Sequence, residues 1–393
     1  MSYLDEERLD DQDHLRACDS RGSLRALATA GAQVREALSL SAEADTARLA
    51  RGDRPRSVLV ASLGGSAVVA DVLDLLAEPT SPVPVSVCRN VPLPGWVGPL
   101  DLVVAVSLSG RAAGPLAVAV EAARRGAQLL TVGAADSPLA AVSQRARGVH
   151  VDVGRDRLSS RTALWSLLVP VLVGARDLGL FELSDADISA TADRLDEEAE
   201  GCRPSSESFV NPAKSLALTL AETVPVVLGD GPLGGVAATR AASMLARTAR
   251  LPATHGELPD AASQVVATFD GPFTAGGGEG IGARRGDDIF ADPFLDGPAQ
   301  PRLGLLMLRD HVGEITSPQM ADLAVLTEAV LDTAGDAGAR VATIEAEAGH
   351  PLTRLAGLIA RTDFMSTYLA IGLGMDPAVS RHIAALRDHT SER

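Results

Sequence analysis

The sequence predicts an α/β protein whose parallel sheets are flanked by helices. Three observations carry that expectation. Short apolar, β-branched runs alternate with segments of helical periodicity, one strand ends in a glycine turn that passes straight into a helix at residues 57–78, and the same grammar returns after residue 213. In such sheets ligands bind beyond the carboxyl ends of the strands, so the turns there hold the candidate site.

At 393 residues the chain has the length for two domains, each with its own core. Hydrophobic residues make up 46% but aromatics only 3%, so the cores are expected to be built from Ala, Val and Leu. A formal charge of −16 argues against binding a nucleic-acid backbone, which needs clustered cations. The longest apolar runs are interrupted before about 18 residues, and no charged segment precedes an apolar one at the N-terminus. These features predict no membrane association and a cytoplasmic location. Cys18, Cys88 and Cys202 are far apart, odd in number and without C-x-x-C spacing, which favours buried thiols over disulfides or a zinc site. Lys214 is the sole lysine, hence the one candidate for chemistry that needs a tunable amine.

Taken in order, residues 1–50 read as an N-terminal helical segment, acidic at first and then periodic through Leu24, Leu27, Val34 and Leu38. A first domain is expected over 51–205. Its strands are predicted at 57–62, 83–88, 102–107 and 128–132, with a fifth candidate at 149–151 and a helix at 114–125. An apolar helix is predicted over 159–173 with Arg161 at its start, and a charged, exposed helix over 184–206. A second domain is expected over 206–393. It opens with a helix to Ala221, a strand at 224–229, a glycine-rich turn at 229–235 and a helix through Ala246. Further strands are predicted at 303–308 and 341–345, followed by an apolar helix through Tyr368 and a last helix at 377–387. The glycine-rich stretch 271–297 reads as a flexible loop, either a lid or an insertion.

Two turns carry the chemistry. Gly64-Gly65-Ser66 follows the first strand, and Ser107-Leu108-Ser109-Gly110 follows the strand at 102–107. Hydroxyls and backbone N–H groups converging at one sheet end suit a dianionic phosphate without cationic side chains. The competing reading is a serine-rich turn that merely caps the next helix. Asp310, His311 and Glu314 lack a second histidine at metal spacing, so a solvated turn is favoured there and no metal or cofactor is expected. The glycines of 229–235 have neither the Gly-Lys-Ser ending of a P-loop nor an acidic residue placed for a ribose.

The stretches SLGGSAVVADVL and VAVSLSG resemble the sugar isomerase (SIS) domain. Their arrangement with a second unit resembles the bifunctional phosphoglucose/phosphomannose isomerase family. Ser160-Arg161-Thr162-Ala163-Leu164 is similar to that family's Pro-Arg-Ser-Ala-Leu motif, and Glu257-Leu258-Pro259-Asp260 to its Leu-Pro-Glu segment. His350-Pro351 and the stretch opening with Gly374-Met375-Asp376-Pro377 resemble its C-terminal region. The resemblance implies two tandem SIS domains, a homodimer and a phosphosugar ligand held by Gly64, Gly65, Ser66, Ser107, Ser109 and Arg161. It also exposes departures. The family's Asn-Thr pair in the second loop is Arg111-Ala112 here. Its catalytic Glu, His and Lys fall at Arg247, at Ala262 or Ser263, and at Arg387. Arginine, with a pKa above about 12, is no general base near pH 7. Two outcomes follow: isomerisation by substitute groups, of which Glu257 and His255 are the candidates, or a non-catalytic protein that senses a phosphosugar or serves as a regulatory or scaffold subunit.

Overall fold

The computed structural model describes residues 4–89, 91–274, 301–311, 313, 317–383, 385 and 386. Most of the loop expected at 271–297, together with Glu314 and Arg387, lies outside them. The fold is α/β, with two all-parallel sheets flanked by helices. The chain divides into two compact units. The first comprises Arg25–Glu200 with Gly349–Ala356, and the second comprises Met1–Leu24, Gly201–Ala348 and Gly357–Arg393.

The first unit holds five strands, β1 (Val58–Ser62), β2 (Val85–Cys88), β3 (Leu102–Ser107), β4 (Gln128–Gly133) and β5 (Val149–Asp152), in the order β2-β1-β3-β4-β5. Every residue of β1 and β3 is buried, which is why they read as unbroken apolar runs: a central parallel strand is covered on both faces. Along β5, at the edge, Val149 and Val151 are buried while His150 and Asp152 are half-buried. One face packs Leu59, Ala61, Val103, Ala105 and Leu129 against helices Ala113–Arg124 and Pro138–Arg145. The other face receives helix Leu164–Asp177, buried from Leu164 to Ala175. This helix begins five residues later than the periodicity predicts. Residues 159–163, including Arg161, form a turn in which the Ser159 carbonyl accepts from the N–H groups of Thr162 and Ala163.

The second unit holds β6 (Thr223–Asp230), β7 (Thr254–Leu258), β8 (Arg302–Arg309) and β9 (Arg340–Glu345), in the order β7-β6-β8-β9. Pro225 lacks an N–H, yet β6 accommodates it because pairing with β7 begins only at Val226. Lys214 is structural. Its buried ammonium lies 3.0 Å from Asp10, donates to the carbonyls of Pro204 and Ser206, and sits 5.6 Å from the centroid of the Tyr368 ring. The amine singled out in the sequence thus ties the N-terminal helices to their unit. Arg240 and Asp363 form a second buried ion pair, at 2.8 Å. Cys88 and Cys202 are buried and Cys18 is half-buried, and none of the three is in a disulfide.

The glycines at 229–235 are packing residues. Helix Gly231–Met244 starts inside the expected turn, with Gly231 at φ 78°. A Cβ at Gly229 would overlap the Gly234 carbonyl carbon, and one at Gly234 would lie 2.6 Å from the Leu308 carbonyl oxygen. Backbone meets backbone there, so nothing can shift cheaply. Gly229→Ala is expected to destabilise the protein by roughly 2–4 kcal/mol in denaturant unfolding. Gly52→Ala, where a Cβ meets nothing within 4 Å, should leave stability unchanged.

Asp230, at the carboxyl end of β6, is only 8% exposed. Burial pushes its carboxyl up to about 6, although the Asp310 N–H at 2.6 Å and Arg309 at 3.6 Å both favour the charged form. The folded pKa exceeds the unfolded one, so the fold favours the protonated acid. Stability is therefore retained below about pH 4 and lost as pH rises through 6. Asp230→Asn should raise stability at pH 8 by on the order of 2 kcal/mol and have no effect at pH 4. Melting curves across that range would refute this if the two proteins stay parallel.

Candidate functional site

In the first sheet the chain leaves β1 toward β2 and leaves β3 toward β4, on the opposite side. The two connections diverge, and a crevice opens between the carboxyl ends of β1 and β3. The register sets Ser62 beside Val106, so the turns after both strands start at nearly the same level, one strand spacing apart. The Gly64–Ser66 turn is one 3₁₀ turn leading into helix Val68–Ala77, with Gly64 at φ 64°. The loop after β3 leads into helix Ala113–Arg124, with Gly110 at φ 60°. Gly114 carries the contact between them: a Cβ there would overlap Leu63 Cδ1.

The hydroxyls are not equivalent. Ser66, 4% exposed, donates its O–H to the Leu63 carbonyl at 3.1 Å, and Ser62 donates to the Ser66 carbonyl. Ser107, 5% exposed, accepts from the N–H of Ala112, and Ser109 accepts from the N–H of Arg111, each at 3.3 Å. The capping interpretation of these serines is therefore correct as far as their oxygens go. An accepting hydroxyl still has its proton to give, so Ser107 and Ser109 retain donor capacity toward an anion, whereas Ser66 has its own engaged. The loop is held firmly. Gly110 N–H donates to the Ser107 carbonyl, Leu139 N–H to the Gly110 carbonyl and Ala134 N–H to the Leu108 carbonyl, and Gly110 lies against Ser137 so closely that a Cβ would overlap its hydroxyl.

Arg161 is half-buried in the turn before helix Leu164–Asp177, within the same unit as the crevice. Glu257 and His255 belong to the second unit. They lie on β7, a strand the apolar patterning misses because Thr254, His255 and Glu257 are exposed on a sheet edge. Both side chains lie on one face, and Glu257 lies over the first turn of helix Gly231–Met244, where a Cβ at Gly235 would sit 2.5 Å from its carboxylate. Arg247, which the resemblance sets at the family's glutamate position, falls in the π-helical turn Leu245–Ala249. Among the described residues no three His, Cys, Asp or Glu side chains gather as metal ligands, and no helix is long and apolar enough to cross a membrane.

The second sheet has its own switch point, between β6 and β8, and its chemistry is opposite. The buried Asp230 lies there with Arg309 and Asp310, where the first crevice presents serines and glycines. The sequence reads residues 229–235 and Asp310 as turns, and the burial of Asp230 is not legible there because a lone Asp at a strand end carries no motif.

Residues 209–389 match the family model of the bacterial phospho-glucose isomerase C-terminal SIS domain. Over 196 residues the chain is 29% identical to the bifunctional phosphoglucose/phosphomannose isomerase of Caldicellulosiruptor bescii, covering 50% of this chain and 57% of that one. The match thus spans little more than half the length of that curated relative. A hypothetical protein of Thermus thermophilus superposes with a TM-score of 0.68 at 14% identity, over 97% of this chain and 94% of its own. The C-terminal domain of glucosamine-fructose-6-phosphate aminotransferase from Francisella tularensis gives 0.60 at 14% identity, over 90% and 97%. At such identities these two show a shared fold. Residues 209–389 thus match a SIS domain, and the chain, with its two parallel sheets and the SLGGS and SLSG turns at the first switch point, resembles the bifunctional phosphoglucose/phosphomannose isomerases.

Proposed function

We propose that the protein binds a phosphorylated sugar at the β1–β3 crevice and does not isomerise it by the family's route. The carrying observation is the convergence of the Gly64–Ser66 turn and the Ser107–Gly110 loop at one switch point, braced through Leu63 and Gly114. The phosphate would be held by the Ser107 and Ser109 hydroxyls and main-chain N–H groups, with Arg161 as an added cation from the same unit. Donors fixed by the fold bind a dianion without the ordering cost of long side chains.

Isomerisation also needs a base to carry a proton between adjacent carbons, an acid to open the ring and a donor to steady the oxyanion. Arg247, Ala262 or Ser263, and Arg387 supply neither base nor ring-opening acid. The reading is thus a phosphosugar sensor or a regulatory subunit of a sugar-phosphate enzyme. The enzyme reading has one observation in its favour, the shared face of His255 and Glu257 on β7. Turnover that disappears in Glu257→Gln would establish it. The homodimer expected from the resemblance would show as a particle of about 81 kDa in light scattering, twice the 40.5 kDa chain.

Calorimetry with glucose 6-phosphate and fructose 6-phosphate is expected to show binding that Ser107→Ala weakens roughly 10- to 100-fold, the loss of one hydrogen bond to a charged group. A coupled isomerase assay on the same samples should show no turnover. Equal affinity in wild type and Ser107→Ala would remove the crevice from consideration.

A further inference from the structure

A groove of about 740 Å³ lies in the first unit at the outer edge of its sheet, along β5, and of the residues that line it only Arg111 belongs to the loops that form the crevice. Its wall includes Arg48, Arg111, Asp136, Gln144 and His150. In a chain of net charge −16, many arginines lie against carboxylates, as Arg35, Arg51, Arg56, Arg89, Arg124, Arg125, Arg157 and Arg176 do in this unit. Arg48 and Arg111, like Arg54, Arg145, Arg147 and Arg155, have no carboxylate within ion-pair distance among the described residues, and these two line this groove. Arg48 commits one guanidinium nitrogen to the Gly148 carbonyl at 2.7 Å, which fixes its direction and leaves its other N–H groups to a ligand.

His150 adds a second, independent feature. Its Nδ1 lies 2.8 Å from the Thr131 hydroxyl, while its Nε2 is buried and makes no hydrogen bond of normal geometry. Burial lowers its pKa, although the carbonyls of Ala134 and Gly133 and the carboxylate of Asp152 act in the opposite sense. The start of helix Pro138–Arg145 contributes little, since the Leu139 and Ala140 N–H groups donate to the Gly110 carbonyl and the Ser137 hydroxyl. Recognition therefore falls to side chains. Two arginines call for an anion, and Asp136 beside them calls for hydroxyl donors on the same molecule.

We propose that this groove is a second ligand site, taking a phosphate monoester on a hydroxyl-bearing skeleton, with the phosphate on Arg48 and Arg111 and the hydroxyls toward Asp136 and Gln144. The site is separate from the crevice, though Arg111 belongs to the loop that supplies Ser107 and Ser109. A sugar phosphate and a nucleoside monophosphate share this chemistry.

The test is calorimetry on the full chain with glucose 6-phosphate, adenosine 5′-monophosphate and inorganic phosphate. Wild type is compared with Ser107→Ala, Arg48→Gln and the Arg48→Gln/Arg111→Gln double variant. Glutamine keeps a donor for the Gly148 carbonyl, and an unchanged melting temperature confirms the fold. One of the two organic phosphates should still bind Ser107→Ala, and which one does names the source. Its affinity should fall about tenfold in Arg48→Gln and about a hundredfold or more in the double variant. The proposal is overturned if neither binds Ser107→Ala at about 10 mM, if the double variant binds as wild type does, or if inorganic phosphate binds as tightly as both. Binding lost in Ser107→Ala but kept in the double variant removes the groove and leaves the crevice reading intact. The converse result does the reverse.

Discussion

Everything local to the candidate site depends on the parallel pairing of β1 with β3 and the divergence of their exits. The pairing fixes Ser62 beside Val106, so the two turns emerge side by side. The divergence keeps either following helix from closing over them. Close contacts then hold the turns in place, Gly114 against Leu63 and Gly110 against Ser137. Gly110 meets two demands at once, a left-handed φ and a neighbour too close for a Cβ. The serines matter because this scaffold is rigid, and the same hydroxyls on a mobile loop would have to be ordered by the ligand.

The two sheets show that one topology does not dictate one chemistry. Each has a switch point between its paired central strands. The first is edged by neutral donors and the second by a buried carboxylate whose protonation is favoured near pH 6. A chain carrying −16 repels an approaching dianion at long range, but beyond roughly 8 Å that field is screened at physiological salt. What decides is the composition of each crevice at contact distance. Uncharged donors suit a phosphate, while an ionised Asp230 would repel one.

The central strands are legible in the sequence because burial on both faces leaves an uninterrupted apolar record, as in β1, β3, β6 and β8. Edge strand β7 is not, since Thr254, His255 and Glu257 give no such record. The start of helix Leu164–Asp177 is hidden because the polar residues 159–163 read as its capping first turn but close as a turn of their own. The serine turns show through their spacing and resemblance. The division of labour among their hydroxyls does not, because which oxygen accepts from Ala112 or Arg111 depends on how the loop closes. The groove at β5 shows in the sequence only through Arg111, which departs from the family's second loop. Arg48, Arg111 and His150 are far apart in the chain, and only the fold brings them to one wall.

The distribution of roles between the units bears on how such a protein diverges. Ser66, Ser107 and Ser109 lie in the first unit, whereas Arg247, Ala262 and Ser263 lie in the second. The scaffold of each turn is internal to its own unit: Gly110 is held by Ser137 and Leu139, and the π-helical turn carrying Arg247 is built from its own helix. Replacing a proton-transfer group in the second unit therefore leaves the hydrogen bonds that shape the first crevice untouched. On the proposed reading, the residues assigned to binding and those at the positions of the family's proton-transfer groups rest on separate sets of local contacts. If Arg247 does stand where the resembled family has its base, such an exchange is the kind of change this separation permits, since a permanently protonated guanidinium cannot abstract a proton.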